Sequence, residues 1–243
     1  GLIKAPAGMG PKTIPETRSG RALADPMIYL NITSVMRRCD PEHREVYDAR
    51  AKQCVETIFR YHHKPELKCT LETVGMNGEF WSDISAGRFV NPGHDIECSW
   101  FLMEEAKYED DPELRAKAME VFDMAIERGW DKEYGGIFYF LDRKGAPRVE
   151  LEWDQKLWWV HIESTIAMIK GYQLTGSKEC LEWFGKLHEY TWAHFKDTEH
   201  PEWFGYLNRR GEVLLPLKGG KWKGCFHVPR GLFQCWQILE QCK

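Results

Sequence analysis

The 243-residue sequence has almost no excess of charge of one sign: 33 Lys and Arg against 37 Asp and Glu leave a formal net charge of -4. That excludes the basic stripe expected of a nucleic-acid binder or a polybasic membrane-surface protein. No apolar run reaches the roughly 20 residues that a transmembrane helix needs, and the opening GLIKAPAGMGPKT lacks the apolar core of a signal peptide. The expectation is a soluble, cytoplasmic protein with neither nucleic acid nor membrane as a partner. CxxC spacing is missing too. The eight cysteines (39, 54, 69, 98, 180, 225, 235 and 242) are scattered, several inside apolar stretches such as CVETIF and CLEWF, and read as reduced core residues. No serine or cysteine sits in a nucleophile elbow, and AGMGPKT is a poor P-loop, with proline where a phosphate cradle needs N–H groups. The Gly/Pro/Thr-rich residues 1–24 read as a loop or poorly ordered lead-in.

What the sequence does have is apolar material, 43% hydrophobic with 13% aromatic, enough to fill a core. It also has an internal repeat. LETVGMNG (71–78), FYFLDRKG (138–145) and FGYLNRRG (204–211) align, and their last glycines, Gly78, Gly145 and Gly211, are 67 and 66 residues apart. Each segment alternates apolar and polar positions before a polar turn, the pattern of a β-hairpin. Between them, seven stretches carry apolar residues at helical spacing, from IYLNITSVMRRC near the start to PRGLFQCWQILEQC at the end. Pro92, Pro112 and Pro229 stand where a first helical turn tolerates proline, and Asp111 is a good N-cap. Each repeat is thus read as a hairpin followed by two antiparallel helices. Such pairs can close into a toroid whose inner helices surround a cavity. The expected fold is all-α, an (α/α)6 barrel incomplete in this chain, with residues 1–243 as a single domain forming its carboxy-terminal portion.

A histidine follows each turn glycine at the same offset of 16 residues: His94, His161 and His227. Equivalent positions in successive repeats point in equivalent directions, so the three are expected to converge on the axis. Each one alone could simply bond a loop carbonyl; three at one offset argue for a pocket. His94 and Glu97 share a helix face, while His161 and Glu163, two apart, splay around theirs. Imidazole beside carboxylate is general acid and base equipment near neutral pH. Three imidazoles could also hold zinc, but the flanking tryptophans suit a sugar better, and no metal is assigned. Trp158, Trp159 and Trp222 offer flat apolar faces for a sugar's C–H face, or else core packing.

At NPGHDIE, KLWWVHIE, EWFGYL and above all LKGGKWKGCFHVPR, the chain resembles the N-acylglucosamine 2-epimerase (renin-binding protein) family, in the wording of its animal members. The resemblance implies the barrel inferred above. It also implies interconversion of N-acetylglucosamine and N-acetylmannosamine by removing and returning the C2 proton of the open-chain sugar, with two histidines working from opposite faces. Carried over by motif, His94, His227 and Glu163 are the catalytic residues. His161 and Glu97 are substrate-binding or supporting groups, and Arg88 is a further candidate for contacting sugar oxygens. The chemistry needs no cofactor; the resemblance allows ATP or another nucleotide as an effector that is not consumed. It also implies a homodimer and a renin-like protease as a protein partner. The alternatives are an aldose–ketose isomerase or free-sugar 2-epimerase on the same fold, and a protein-binding module without catalysis. An arginine that the family uses near the sugar's O1 has no counterpart in this chain.

Overall fold

The computed structural model describes residues 16–242. In chain order its strands are β1 (Gly20–Ala22), β2 (His63–Lys64), β3 (Cys69–Thr70), β4 (Thr73–Gly75), β5 (Phe89–Val90), β6 (Leu141–Asp142), β7 (Lys156–Leu157), β8 (Tyr206–Leu207) and β9 (Val213–Leu215). Its α-helices are α1 (Ala24–Cys39), α2 (Arg44–Thr57), α3 (Pro92–Glu109), α4 (Pro112–Gly129), α5 (Trp158–Thr175), α6 (Lys178–His194) and α7 (His227–Gln241). All seven expected helices form, on a fold that is mainly helical. Where a single domain was expected, the chain divides into two compact units, one running through Lys64 and including Leu71–Phe89, the other Pro65–Thr70 with the chain from Val90 on. Of the expected lead-in, residues 1–15 lie outside the described residues. Its later part is corrected, since β1 begins at Gly20 and α1 at Ala24.

The first unit is a helical hairpin with a short ladder. Met27 and Leu30 of α1 and Ala51 and Cys54 of α2 are buried with Ile58, Leu71 and Val74. Arg37 ties the two helices together through Asp48 at 2.7 Å. β1 pairs antiparallel with β4, Arg21 opposite Val74.

The second unit carries the inner helices. α5 is apolar nearly all round, WWVHIESTIAMIKG being buried without a break, as expected of a helix enclosed by protein on every side. It packs on α3, α6 and α7, and α3 packs in turn on α4. α4 and α6 instead show one apolar stripe, Leu114, Ala118, Val121, Phe122 and Ala125 in α4. The tight α3–α4 connection works because Asp110 takes the left-handed conformation (φ 51°) and the Asp111 side chain then caps α4, accepting from Glu113 N at 2.9 Å and Leu114 N at 3.0 Å. Pro112 follows at the position where its missing N–H costs nothing.

The repeat survives in its turns more than in its strands. Gly78, Gly145 and Gly211 all adopt positive φ (88°, 78° and 86°). Each donates its N–H three residues back, to Gly75, Asp142 and Asn208, at 2.9, 2.9 and 3.0 Å. That left-handed position is what selects glycine. The expected hairpins are corrected in part: only the third segment pairs with the strand that follows it, β8 with β9, whereas the first supplies β4 to β1. Strands two or three residues long bury too little to set their own partner, so pairing is left to the helices that carry them.

Of the cysteines expected in the core, Cys54, Cys69, Cys98, Cys180 and Cys235 are buried; Cys39, Cys225 and Cys242 are exposed, and all eight are free thiols.

Candidate active site

Three helix starts in the second unit bring the chemistry together. Asn91 caps α3 by accepting from His94 N at 3.3 Å, with Pro92 in the first turn, which sets His94 and, one turn on, Glu97. Gly93 lies against Trp159 of α5 so closely that a Cβ there would stand 2.5 Å from the indole. Both half-buried histidines lie beside the Trp159 ring, its centroid 5.5 Å from His94 and 5.9 Å from His227.

Behind the histidines lie two buried carboxyls. One atom each of Glu97, Glu163 and His227 fall within 4.8 Å of one another. Glu163 is fully buried and is met by three donors: His227 Nδ1 at 2.6 Å and the Arg230 guanidinium on Oε1, and Trp100 Nε1 at 3.1 Å on Oε2. Glu97 is buried on the adjacent helix face. Burial first, and then the neighbouring Glu163, push its carboxyl up to about 8, against the pull of His94 and Arg230. The spacing of the three atoms would suit a cation, yet Arg230 already supplies positive charge on the Glu163 oxygen that the histidine uses.

His161 does not join this cluster, a correction to the expected convergence of three histidines and to its substrate-binding assignment. Its Nδ1–H donates to the Leu157 carbonyl at 2.7 Å and its Nε2 accepts from Ile137 N at 3.1 Å, so neither nitrogen remains for a sugar. The ring is fully buried against Tyr190 and Phe195, and burial drives it down to about 3. His94 is the third residue of its helix, His161 the fourth and His227 the first. Because each residue turns a helix by about 100°, an equal offset from the turn does not guarantee an equal direction from the helix. On α5 it is Glu163, two residues on, that faces the cluster.

Arg88 lies in the first unit, half-buried, its Nη1 donating to the Ser82 carbonyl at 3.1 Å. Of the tryptophans, Trp158 is core, edge-on to Tyr206, and Trp222 is 72% exposed. Sequence reasoning missed Arg230 and Trp100. The signal was there: Arg230 follows His227 by the three residues that separate Glu97 from His94, one helical turn, with opposite charge.

The N-acylglucosamine 2-epimerase (GlcNAc 2-epimerase) family model matches residues 23–229. The N-acylglucosamine 2-epimerase of Mus musculus is 40% identical over 235 residues, 96% of this chain and 56% of that protein, so the chain spans about half the length of this curated relative. Among solved structures, the cellobiose 2-epimerase from Spirochaeta thermophila DSM 6192 matches with a TM-score of 0.76 at 21% identity, over 96% of this chain and 56% of that one. A D-mannose isomerase matches with a TM-score of 0.75 at 20% identity, over 95% and 58%. At such identities the structural likeness speaks for the fold, the helical hairpins of an (α/α)6 barrel.

Proposed function

We propose that this chain, which belongs to the N-acylglucosamine 2-epimerase family, carries the acid–base centre for interconverting N-acetylglucosamine and N-acetylmannosamine. The substrate is the open-chain sugar, whose C2–H lies next to an aldehyde. One histidine removes that proton, the electron pair moves onto the carbonyl oxygen to give an enolate, and the other histidine returns a proton to C2 from the opposite face. The sugar's oxidation state does not change, so the proposal includes no redox cofactor.

The observation that carries the reading is the pair of half-buried histidines on separate helices, both beside Trp159. One base cannot easily serve both faces of a carbon; two on opposed elements can. Glu163 holds His227 by Nδ1, which leaves Nε2 as the ring nitrogen for proton transfer. Glu97, protonated to about pH 8, is a donor for the oxygen that gains negative charge. The amino ends of α3 and α7 favour negative charge beside them as well.

Proton NMR of N-acetylmannosamine in D2O with the chain tests the reading. The expected result is N-acetylglucosamine deuterated at C2; a folded chain giving neither epimer nor C2 exchange would overturn it. A ketose product would point instead to aldose–ketose isomerisation, and equal turnover of sugars without the N-acetyl group to a free-sugar 2-epimerase. The homodimer, the protease partner and the nucleotide effector are separable from catalysis: His94→Ala with His227→Ala abolishes exchange and leaves any of them in place. A cytoplasmic location fits eight free thiols.

A further inference from the structure

We infer that Arg230 is a positioning residue for His227, acting through Glu163: its guanidinium makes Glu163 the charged member of two buried carboxyls and so holds the histidine in one tautomer. Two observations carry this. Arg230 and His227 Nδ1 meet the same oxygen of Glu163, and Trp100 takes the other, so both oxygens are occupied as acceptors. Donors on both oxygens, one of them a permanent cation, favour the charged form of that carboxyl. The guanidinium also lies over two aromatic rings, 4.2 Å from the Phe226 centroid and 5.4 Å from that of Trp100, contacts that hold it in place.

The charge count gives the arrangement its consequence. The groups around Glu163 are Glu97 on α3, which His94 in turn influences, and His227, Arg230 and Cys235 on α7; on α5 itself Lys170 turns to Glu104 at 2.8 Å. Two carboxyls and one guanidinium with neutral imidazoles balance only if one carboxyl carries a proton. With Arg230 on Glu163, that carboxyl is Glu97. Without Arg230 the proton is free to pass to Glu163, and His227 loses the anion that selects its Nδ1–H form.

The inference rests on the epimerisation reading for its chemistry but not for its geometry, and two measurements separate them. The first, ¹⁵N NMR of the histidine rings in the full chain, needs no substrate: wild type and Arg230→Lys are expected to hold His227 as Nδ1–H, and Arg230→Gln to show a mixture. The second is the pH profile of C2 exchange. Arg230→Gln is expected to lose about a hundredfold in kcat with KM within about threefold, as for a lost proton-transfer geometry. Its acid limb should move to higher pH, because removing a cation makes the cluster hold protons more strongly. Arg230→Lys should keep the wild-type limb. If the glutamine variant does not fold, Arg230→Met, which keeps an apolar stem beside Phe226 and Trp100, gives the same readings. A single Nδ1–H tautomer and an unmoved limb in the charge-removed variant would overturn the inference, and so would equal losses in the lysine and glutamine variants with the limb in place. A wild type that exchanges no C2 proton sinks the epimerisation reading, while the tautomer measurement still judges Arg230.

Discussion

Two charged clusters of the second unit invite comparison. In one, Lys156 of β7 lies 3.0 Å from Asp131 Oδ2, and Arg209 reaches the same oxygen at 3.0 Å and Glu133 at 3.0 Å. The other is the cluster of Glu97, Glu163, His227 and Arg230. In the first, two cations meet two anions, and the Phe138 ring lies 3.9 Å from Lys156 Nζ and 5.5 Å from the Arg209 carbon. Burial pushes the Asp131 carboxyl up, but the bonds from Arg209, Lys156 and the Glu133 N–H outweigh it and bring it down to about 2. Burial pulls fully buried Lys156 down to about 8. The second cluster has two carboxyls to one permanent cation, beside histidines that remain partly accessible. Balanced, with Lys156 and Asp131 buried and Arg209 and Glu133 open to water, an ion network holds loops together; unbalanced beside a titratable ring, it stores a proton.

The sharpest way to break the comparison is to remove a histidine. His94→Ala or His227→Ala should cut C2 exchange by about a thousandfold while leaving the melting temperature nearly unchanged; a loss below tenfold would remove that histidine from the chemistry. In the balanced cluster, Asp131→Ala strands Lys156 and should destabilise by about 3–5 kcal/mol in denaturant unfolding, with exchange per folded molecule intact. Lost exchange in the folded fraction would show that the two clusters are coupled.

Glu97 sharpens the contrast with the opposite sign. Its folded carboxyl binds a proton more tightly than in the unfolded chain, so its contribution to stability is fully present below the usual carboxylate range and is lost as pH rises toward about 8. Glu97→Gln removes that dependence. The variant should therefore melt higher than wild type near pH 8, the gap closing toward pH 4.5, while exchange falls. Asp131 runs the other way: depressed to about 2, it stabilises above its unfolded range and loses that contribution as pH falls. A wild-type-like melt for Glu97→Gln at every pH would remove the difference between the clusters. The smallest effect expected is at Gly93, where alanine forces a shift of Trp159 or Val160 worth about 1–3 kcal/mol and an exchange loss larger than the stability loss explains.

Much of this was legible in the chain. Helical spacing located all seven helices within a few residues, and Asp111–Pro112 marked the start of α4 where the side chain does cap it. The three glycines announced identical turns because positive φ is a local demand that a sequence can display. His94, His227, Glu97 and Glu163 were named and lie together. His161 was named for its offset from a turn, but its direction depends on where α5 begins and on what encloses it. Arg230 and Trp100 went unseen because an arginine in an amphipathic helix and a tryptophan in a buried one look like a solvated face and a core residue until the neighbouring helix is known.

By itself, then, the sequence determined what is local and periodic: the helices, their caps, the repeated turns and the residue types able to move a proton. Tertiary structure alone decided which side chains share a space. That division separated His161, closed off by two backbone bonds, from His94 and His227, and it brought Arg230, Trp100 and His227 onto one carboxylate. The physical reason is that hydrogen bonds along a helix link near neighbours, whereas charge and burial act between helices distant in sequence, through packing that no single segment encodes.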